Sequence, residues 1–412
     1  MRFTPTVTLL ALAVFLNYFD RGNLATASPL IQSELHLTPL QMGVLFSAFF
    51  WSYAPLQPLA GWFAQRFAVR YVLAVGLSVW AVATALTGWA HGFAWLLACR
   101  VLLGVGESVN YPCNAQFLAT HVAIGERSRA NGLIAVGQAL GPTAGSLLGG
   151  LLIAGMSWRV SFIVFGAASL LWLVPWLGVT RRGSPGPWRS TTDPVGYSLL
   201  LKQRTLWATS LGHFCGNYAC YFMLTWLPLL LVRQYGFSVS QMALIAAGVY
   251  GLQACAALAS GVVCDALIRR GVEAGKVWTR MMVVALCSVA LAMAGCVGVG
   301  AHGVLWWLAL AGICFGVQSA PLGALTQTLA GPRAAGQWMG VQNLCANMAG
   351  VSAPVITGWV VHDTGHFAWA FGVAAGVTLL GALCYLCLLG PIVTMDWRND
   401  PGKKKPPRDA MA

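Results

Sequence analysis

Asn17-Tyr18-Phe19-Asp20-Arg21-Gly22 stands inside an otherwise apolar run from Pro5 to Pro29. A run of that length crosses the ~30 Å hydrocarbon core of a bilayer, and an ionisable side chain at that depth is costly enough to be kept for function. Asp20 and Arg21 do not neutralise each other, because consecutive side chains on a helix diverge by about 100°. Each needs a partner on another helix. Asp20 is suited to hold a proton or balance a cation, and Arg21 offers the planar fork that grips a carboxylate through two parallel hydrogen bonds. A structural ion pair that pins two helices is the competing reading of the same residues. Arg2 before the run and Ala25-Thr26-Ala27 within it mimic a signal peptide with a small-x-small cleavage site. Asn17, Asp20 and Arg21 interrupt such a segment, so a retained first helix is expected.

The rest of the chain is of the same kind. Of its 412 residues 58% are hydrophobic and 8% charged, a composition that excludes a protein with a water-facing surface and predicts one that crosses the membrane many times. Apolar runs long enough to span recur twelve times, at about 5–30, 40–65, 71–91, 93–119, 130–154, 161–180, 206–235, 240–263, 278–300, 304–330, 337–361 and 367–392. The 47 glycines suit helices that pack closely in lipid. With 24 Lys and Arg against 11 Asp and Glu the chain is basic, but the bases flank the spans and form no nucleic-acid patch. Twenty of them fall on the side of the N-terminus, Arg159 and Arg233 on the other, and Arg21 and Arg100 within spans. That asymmetry predicts both termini in the cytoplasm, and the expected location is a bacterial inner membrane.

The longest polar connection, 181–205, carries Gly183-Ser184-Pro185-Gly186-Pro187 and divides the spans six and six. The expected fold is therefore all-α, with twelve transmembrane helices in two six-helix bundles, 1–180 and 206–392. Residues 181–205 form a cytoplasmic linker, and 393–412, with Lys403-Lys404-Lys405, a solvated cytoplasmic tail. Weak echoes relate the halves: Gly61-Trp62-Phe63-Ala64-Gln65-Arg66 corresponds to Gly261-Val262-Val263-Cys264-Asp265 with Arg269 and Arg270, and Trp158 to Gly166 corresponds to Trp369 to Gly372. Paired units of this kind suit a solute site between halves at the midplane. The twelve cysteines lie in or at the edge of apolar runs and read as packing residues; Cys384 and Cys387 form a lone CxxC without a second pair. No metal and no cofactor is expected.

Twelve spans in this arrangement, with a short basic loop after the second and its copy after the eighth, resemble the major facilitator superfamily. Gly61 and Arg66 match its loop signature, and Arg66 with Asp265 would take the gating roles. Gln65 stands where that signature has an Asp, and Ala68 and Val69 replace a Gly and a basic residue, so the acid-based gating network is expected in the C-half only. More narrowly, Asn17-Tyr18-Phe19-Asp20-Arg21, Arg100 with Gly104, Gly106, Glu107 and Pro112, Ser157-Trp158-Arg159, His213-Phe214, Thr225-Trp226-Leu227-Pro228, and Asn343 with Asn347 and Gly350 are similar to the anion:cation symporters. That family includes proton-coupled carriers of galactonate, glucarate, hexuronates, tartrate and phthalate.

Arg100 and Glu107 are seven residues apart and share a helix face with ~10 Å between Cα atoms. With Asp20 and Arg21 they form an intramembrane set that is neutral when both carboxylates are ionised. Protonating either carboxylate leaves a net positive site that draws in an anion, and the anion in turn favours the proton. The expected roles, which the resemblance also implies, are proton coupling for Asp20 and Glu107, tuned by Arg100, and substrate carboxylate binding for Arg21. Tyr18, Tyr53 and Gln138 resemble family residues that hold the carboxylate or read a hydroxyl. Asn343 and Asn347, at i and i+4, share a face suited to hydroxyls or to interhelical hydrogen bonds. Gln318, Ser319, Gln327, Tyr218 and Tyr221 are weaker candidates. Gly137-x-x-x-Gly141-Pro142 with Gly145 and Gly149 resembles an antiporter motif, but close packing and a kink is the favoured reading. His213 is read as packing.

The leading expectation is a monomeric, proton-coupled symporter importing an organic anion, a sugar acid (aldonate, hexuronate or aldarate) before others, by alternating access. An exchanger or exporter of tartrate, phthalate or another carboxylate is the alternative, and a non-transporting membrane sensor the alternative of another class. An enzyme is not expected, since no nucleophile, base and orienter cluster together. No nucleotide-binding loop points to a primary pump.

Overall fold

In lipid a backbone must satisfy its own hydrogen bonds, and these apolar runs do so as helices. The computed structural model describes residues 5–182, 194–233 and 235–397. The side chains of Arg21 and Arg233 lie outside the described residues, as do residues 183–193 of the linker and the lysine-rich end of the tail. The first half comprises α1 (Pro5–Glu34), α2 (Pro39–Arg66), α3 (Val69–Thr87), α4 (Phe93–Glu107), α5 (Asn110–His121), α6 (Ile124–Gly155), α7 (Trp158–Leu171) and α8 (Leu173–Arg182). A single turn, α9 (Tyr197–Leu200), precedes α10 (Arg204–Arg233), α11 (Val239–Arg269), α12 (Ala274–Gly295), α13 (Ala301–Ala330), α14 (Ala335–Thr364) and α15 (Phe367–Leu383), which a π turn, Cys384–Leu388, prolongs. Because α4 with α5, and α7 with α8, each continue as one span, the order gives six membrane-crossing segments on each side of the linker.

Among the described residues, nine of these segments are both long and apolar enough to cross a bilayer. The other three, α1, α2 and α10, have the length, at 30, 28 and 30 residues. Their apolar runs are broken by polar residues that face the interior, Asn17 and Asp20 on α1, Gln57 on α2 and Asn217 on α10 among them. The repeat between halves extends to the helix starts. Thr38 caps α2 and Ser238 caps α11, each in a reciprocal box with the glutamine three residues on, Gln41 and Gln241.

α1 is held along α6 by the four-residue glycine period. A Cβ at Gly137 would lie 2.4 Å from the Ala11 carbonyl oxygen, at Gly141 2.7 Å from the Tyr18 Cβ, at Gly145 2.1 Å from the Phe19 oxygen and at Gly149 2.5 Å from Asn23 Oδ1. The motif therefore serves close helix packing, and it fixes the depth at which Tyr18 and Asp20 sit. At the far end of α1, Glu34 accepts from the Arg159 guanidinium at 2.9 Å and from the Trp158 indole, while Arg159 lies over the Trp158 ring and donates to the Ala90 carbonyl at 2.6 Å. The Trp158 hydrogen bond, with the Arg159 charge, holds the Glu34 carboxyl below its usual range.

The two bundles meet at the face bearing the chain's N-terminus. Gln65 at the end of α2 donates to the Pro332 carbonyl at 3.0 Å, and Gln116 of α5 donates to the same oxygen at 2.7 Å. In the matching position of the other half, Asp265 accepts from the backbone N–H groups of Ser128 and Arg129 on α6, at 3.2 and 2.9 Å. Arg127 donates to Thr328 at 2.9 Å. Backbones touch at Gly61 with Gly336, Gly132 with Ala257 and Gly261 with Ser128. The departure at residue 65 thus replaces an acid with a neutral amide that still bridges the halves. Arg66 ends α2 beside it.

Residues 391–397 differ from the expected solvated tail. Met395 N donates to the Leu329 carbonyl at 2.9 Å, and the buried Trp397 donates to the Ala330 carbonyl at 2.9 Å and meets Trp338 edge to face. This strap closes over the turn between α13 and α14, which Val195 of the linker also grips through paired bonds to Gln337.

Candidate functional site

A cavity of about 1010 Å³ lies between the bundles. Its floor is the terminal-face contact, where Asn131 of α6 and Gln327 of α13 exchange amide hydrogen bonds at 3.0 Å in both directions. It extends toward the opposite face along Leu24, Phe46, Leu147 and Thr225.

On the wall from the first half, the Tyr111 hydroxyl donates to Gln138 Oε1 at 2.8 Å and stands 3.2 Å from the Tyr18 hydroxyl. Tyr53 lines the same wall, stacked on Phe49 at 4.7 Å between ring centroids. Arg100 of α4 also lines the cavity and is only 4% exposed. Its Nε and Nη2, the edge that grips a carboxylate side-on, have no hydrogen-bond partner. The charges acting on it are those of Asp20, foremost, and Glu107. Asp20 and Glu107 are buried, at 1% and 0% exposure, and neither lines the cavity. Asp20 Oδ2 accepts from the Thr84 hydroxyl of α3 at 3.0 Å. The acids therefore sit behind the wall, with Arg100 between them and the solute space.

The wall from the second half is a ladder of neutral groups. The Tyr221 hydroxyl donates to Asn347 Oδ1 at 3.1 Å, and Asn347 Nδ2 donates to the Asn343 carbonyl at 2.7 Å. Asn343 Nδ2 is buried without a partner. His213 lines this wall, its Nδ1 3.4 Å from Gln342 Nε2, and Gln342 Oε1 accepts from Thr326 at 2.8 Å. Gln318 and Ser319 are at the cavity as well, whereas Tyr218 is packed into the apolar core beside Phe222.

The structure thus gathers Tyr18, Tyr53, Gln138, Arg100, Asn343 and Asn347 around one space, with Asp20 and Glu107 one layer behind. The Arg21 side chain lies outside the described residues. Arg66 and Asp265 belong to the terminal-face contact, remote from the solute space. Sequence reading missed Tyr111 and took His213, which lines the cavity, for packing. Tyr111 carried a signal in Asn110-Tyr111-Pro112, three polar or helix-breaking residues following Glu107 within a span, and His213 in being the one titratable imidazole inside an apolar run of the second half. Among the described residues, no three His, Cys, Asp or Glu side chains gather as a metal site, and all twelve cysteines are free.

Two membrane-spanning bundles with a solute-sized, amide- and hydroxyl-lined space between them, shut at one face by contacts that join the halves, define a polytopic membrane transporter. Comparison with known proteins agrees. The sequence model of the Major Facilitator Superfamily matches residues 10–354 and 284–411, and the chain belongs to that superfamily, whose members are transporters and not enzymes. It is 30% identical to the hexuronate transporter of Bacillus subtilis over 407 residues, 94% of this chain and 95% of that one. It is 26% identical to the probable L-galactonate transporter of Escherichia coli, over 97% and 91% of the two chains. The fold is shared with the human organic anion transporter MFSD10, at a TM-score of 0.73 and 18% identity over 92% of this chain and 99% of that one.

Proposed function

We propose that this transporter is a proton-coupled symporter that imports an organic anion, a sugar acid (aldonate, hexuronate or aldarate) before other carboxylates, by alternating access. The observation that carries the reading is Arg100: a buried guanidinium at the solute space, acted on by two carboxylates behind it, with its carboxylate-gripping edge unspent. The printed names of the relatives, hexuronate and L-galactonate transporters among them, support the solute class.

In this reading a proton on Asp20 or Glu107 leaves Arg100 under-compensated, and the positive balance attracts the anion. By linkage the bound anion holds the proton with the same free energy. Arg21 takes the solute carboxylate. Tyr18, Tyr53, Gln138, Asn343 and Asn347 contact its body, and Arg66 and Asp265 serve the gate. The bundles 1–180 and 206–392 rock about the site, joined by 181–205, in a monomer. The protein sits in the bacterial inner membrane with both termini and the tail 393–412 in the cytoplasm. In that orientation the closed face is cytoplasmic.

Purified protein in proteoliposomes, given an inward proton gradient, tests this with galactonate and glucuronate. Accumulation that a protonophore abolishes is expected, as is its loss in Asp20→Asn and Glu107→Gln. Accumulation against a gradient by either variant overturns the proton assignment, and uptake indifferent to the protonophore points to exchange.

A further inference from the structure

We infer that the site admits solutes bearing a single carboxylate and rejects the matching dicarboxylates, because the cavity wall built by the second half is polar but has no fixed charge. The inference rests on the sugar-acid reading above and narrows it to aldonates and hexuronates, excluding the aldarates, which carry two carboxylates.

Among the described residues lining that wall, none is Asp, Glu, Lys or Arg. Among the described residues, the second half's cations lie toward helix ends: Arg204 opens α10, Arg269 and Arg270 close α11, Lys276 and Arg280 lie in the first two turns of α12 and Arg333 in the turn before α14. Arg204 spends a guanidinium nitrogen on the Cys387 carbonyl at 3.0 Å. A carboxylate directed at this wall would therefore meet amides, hydroxyls and the His213 imidazole.

The hydrogen bonds already made there decide what those groups can receive. A carboxylate accepts and never donates, so burying one against neutral groups takes several free donors. Tyr221 has given its proton to Asn347, Asn347 has given one to the Asn343 carbonyl, and Gln342 meets His213. The buried Asn343 Nδ2 is left open. Asn343 Nδ2 and the cavity-lining amides of Gln253 and Gln318, beside amide and hydroxyl oxygens that still have lone pairs, match a chain of hydroxyls, each of which both donates and accepts. The first half's wall is complementary, since Arg100 brings a fixed positive charge with two unspent nitrogens. A solute thus lies with its carboxylate toward the first half and its polyol toward the second. Replacing the terminal CH₂OH by a second carboxylate sets an uncompensated charge against the ladder.

The test uses the whole purified protein at neutral pH with galactonate against galactarate and gluconate against glucarate, pairs that differ in that one group, and benzoate against phthalate, which differ by a carboxylate in place of a ring hydrogen. Binding is read by ligand-dependent thermal stabilisation and by competition for uptake. The single carboxylate of a pair is expected to bind at least about 30-fold more tightly, from the cost of leaving a buried charge unpaired. Galactarate binding within threefold of galactonate overturns the inference while leaving the sugar-acid reading intact. Benzoate preferred over phthalate with no sugar acid binding does the reverse, and no binding by any single carboxylate refutes both. Ser319→Lys, which adds a cation to the second wall, is expected to raise galactarate affinity at least tenfold. A folded Ser319→Lys protein that still rejects galactarate overturns the placing of the block on that wall.

Discussion

Asp265→Asn isolates one contact of the terminal-face closure. Asp265 is fully buried and receives two backbone N–H groups of the opposite half, Ser128 at 3.2 Å and Arg129 at 2.9 Å. Each is a charge-assisted hydrogen bond across a joint that must part for the cavity to open on that face. Asparagine preserves the shape, keeps one acceptor and turns the other into a donor facing an N–H. The loss is on the order of 2 kcal/mol, about 30-fold in the ratio of closed to open forms. Hydrogen exchange in lipid nanodiscs reads this directly, since the Ser128 and Arg129 amides exchange only when the joint opens. Peptides covering 124–132 are expected to exchange about 30-fold faster in the variant, while peptides from α3, remote from the joint, are unchanged. A folded variant whose 124–132 amides exchange within threefold of the parent refutes the view that this contact holds the face shut.

Three further outcomes test the packing. Gly145→Val drives a side chain into the Phe19 carbonyl, 2.1 Å from the position of a Cβ, and is expected to abolish folded protein in detergent, whereas Gly155→Ala, with nothing within 4 Å, keeps the parental yield. Trp397→Ala removes the buried ring that anchors the strap and is expected to cost about 3 kcal/mol, read as a lowered thermal midpoint and new protease cleavage between residues 390 and 398. Glu34, paired with Arg159 and Trp158, titrates below the usual carboxylate value of 4.5. Its contribution to stability is present above that value and lost as pH falls through the depressed one. The midpoint difference between the parent and Glu34→Gln is therefore expected at neutral pH and absent at acid pH.

Much of this protein is legible in one dimension. Hydropathy is a local property, so the count of spans and the presence of ionisable residues at 20, 21, 100 and 107 within them follow from reading along the chain. The four-residue period of Gly137, Gly141, Gly145 and Gly149 announced a tight helix contact, and the capping boxes at Thr38 and Ser238 show the repeat between halves. Residue 265 was marked by being an acid at the end of an apolar run.

What the tertiary structure decided is which side of each helix meets which neighbour. Periodicity gives α4 a face that bears both Arg100 and Glu107, but only the positions of α1 and α3 put the arginine at the cavity and the acids behind it. Tyr111 and His213 became wall residues because the packing of the two halves leaves a space beside α5 and α10. Gln65, an apparent defect in a loop signature, became a bridge because the Pro332 carbonyl, 267 residues away, lies 3.0 Å from its amide. Trp397 was indistinguishable from a solvated tail until the α13–α14 turn supplied a slot. Burial in lipid is set residue by residue along the sequence, whereas the partners of buried polar groups are set by contacts between segments hundreds of residues apart.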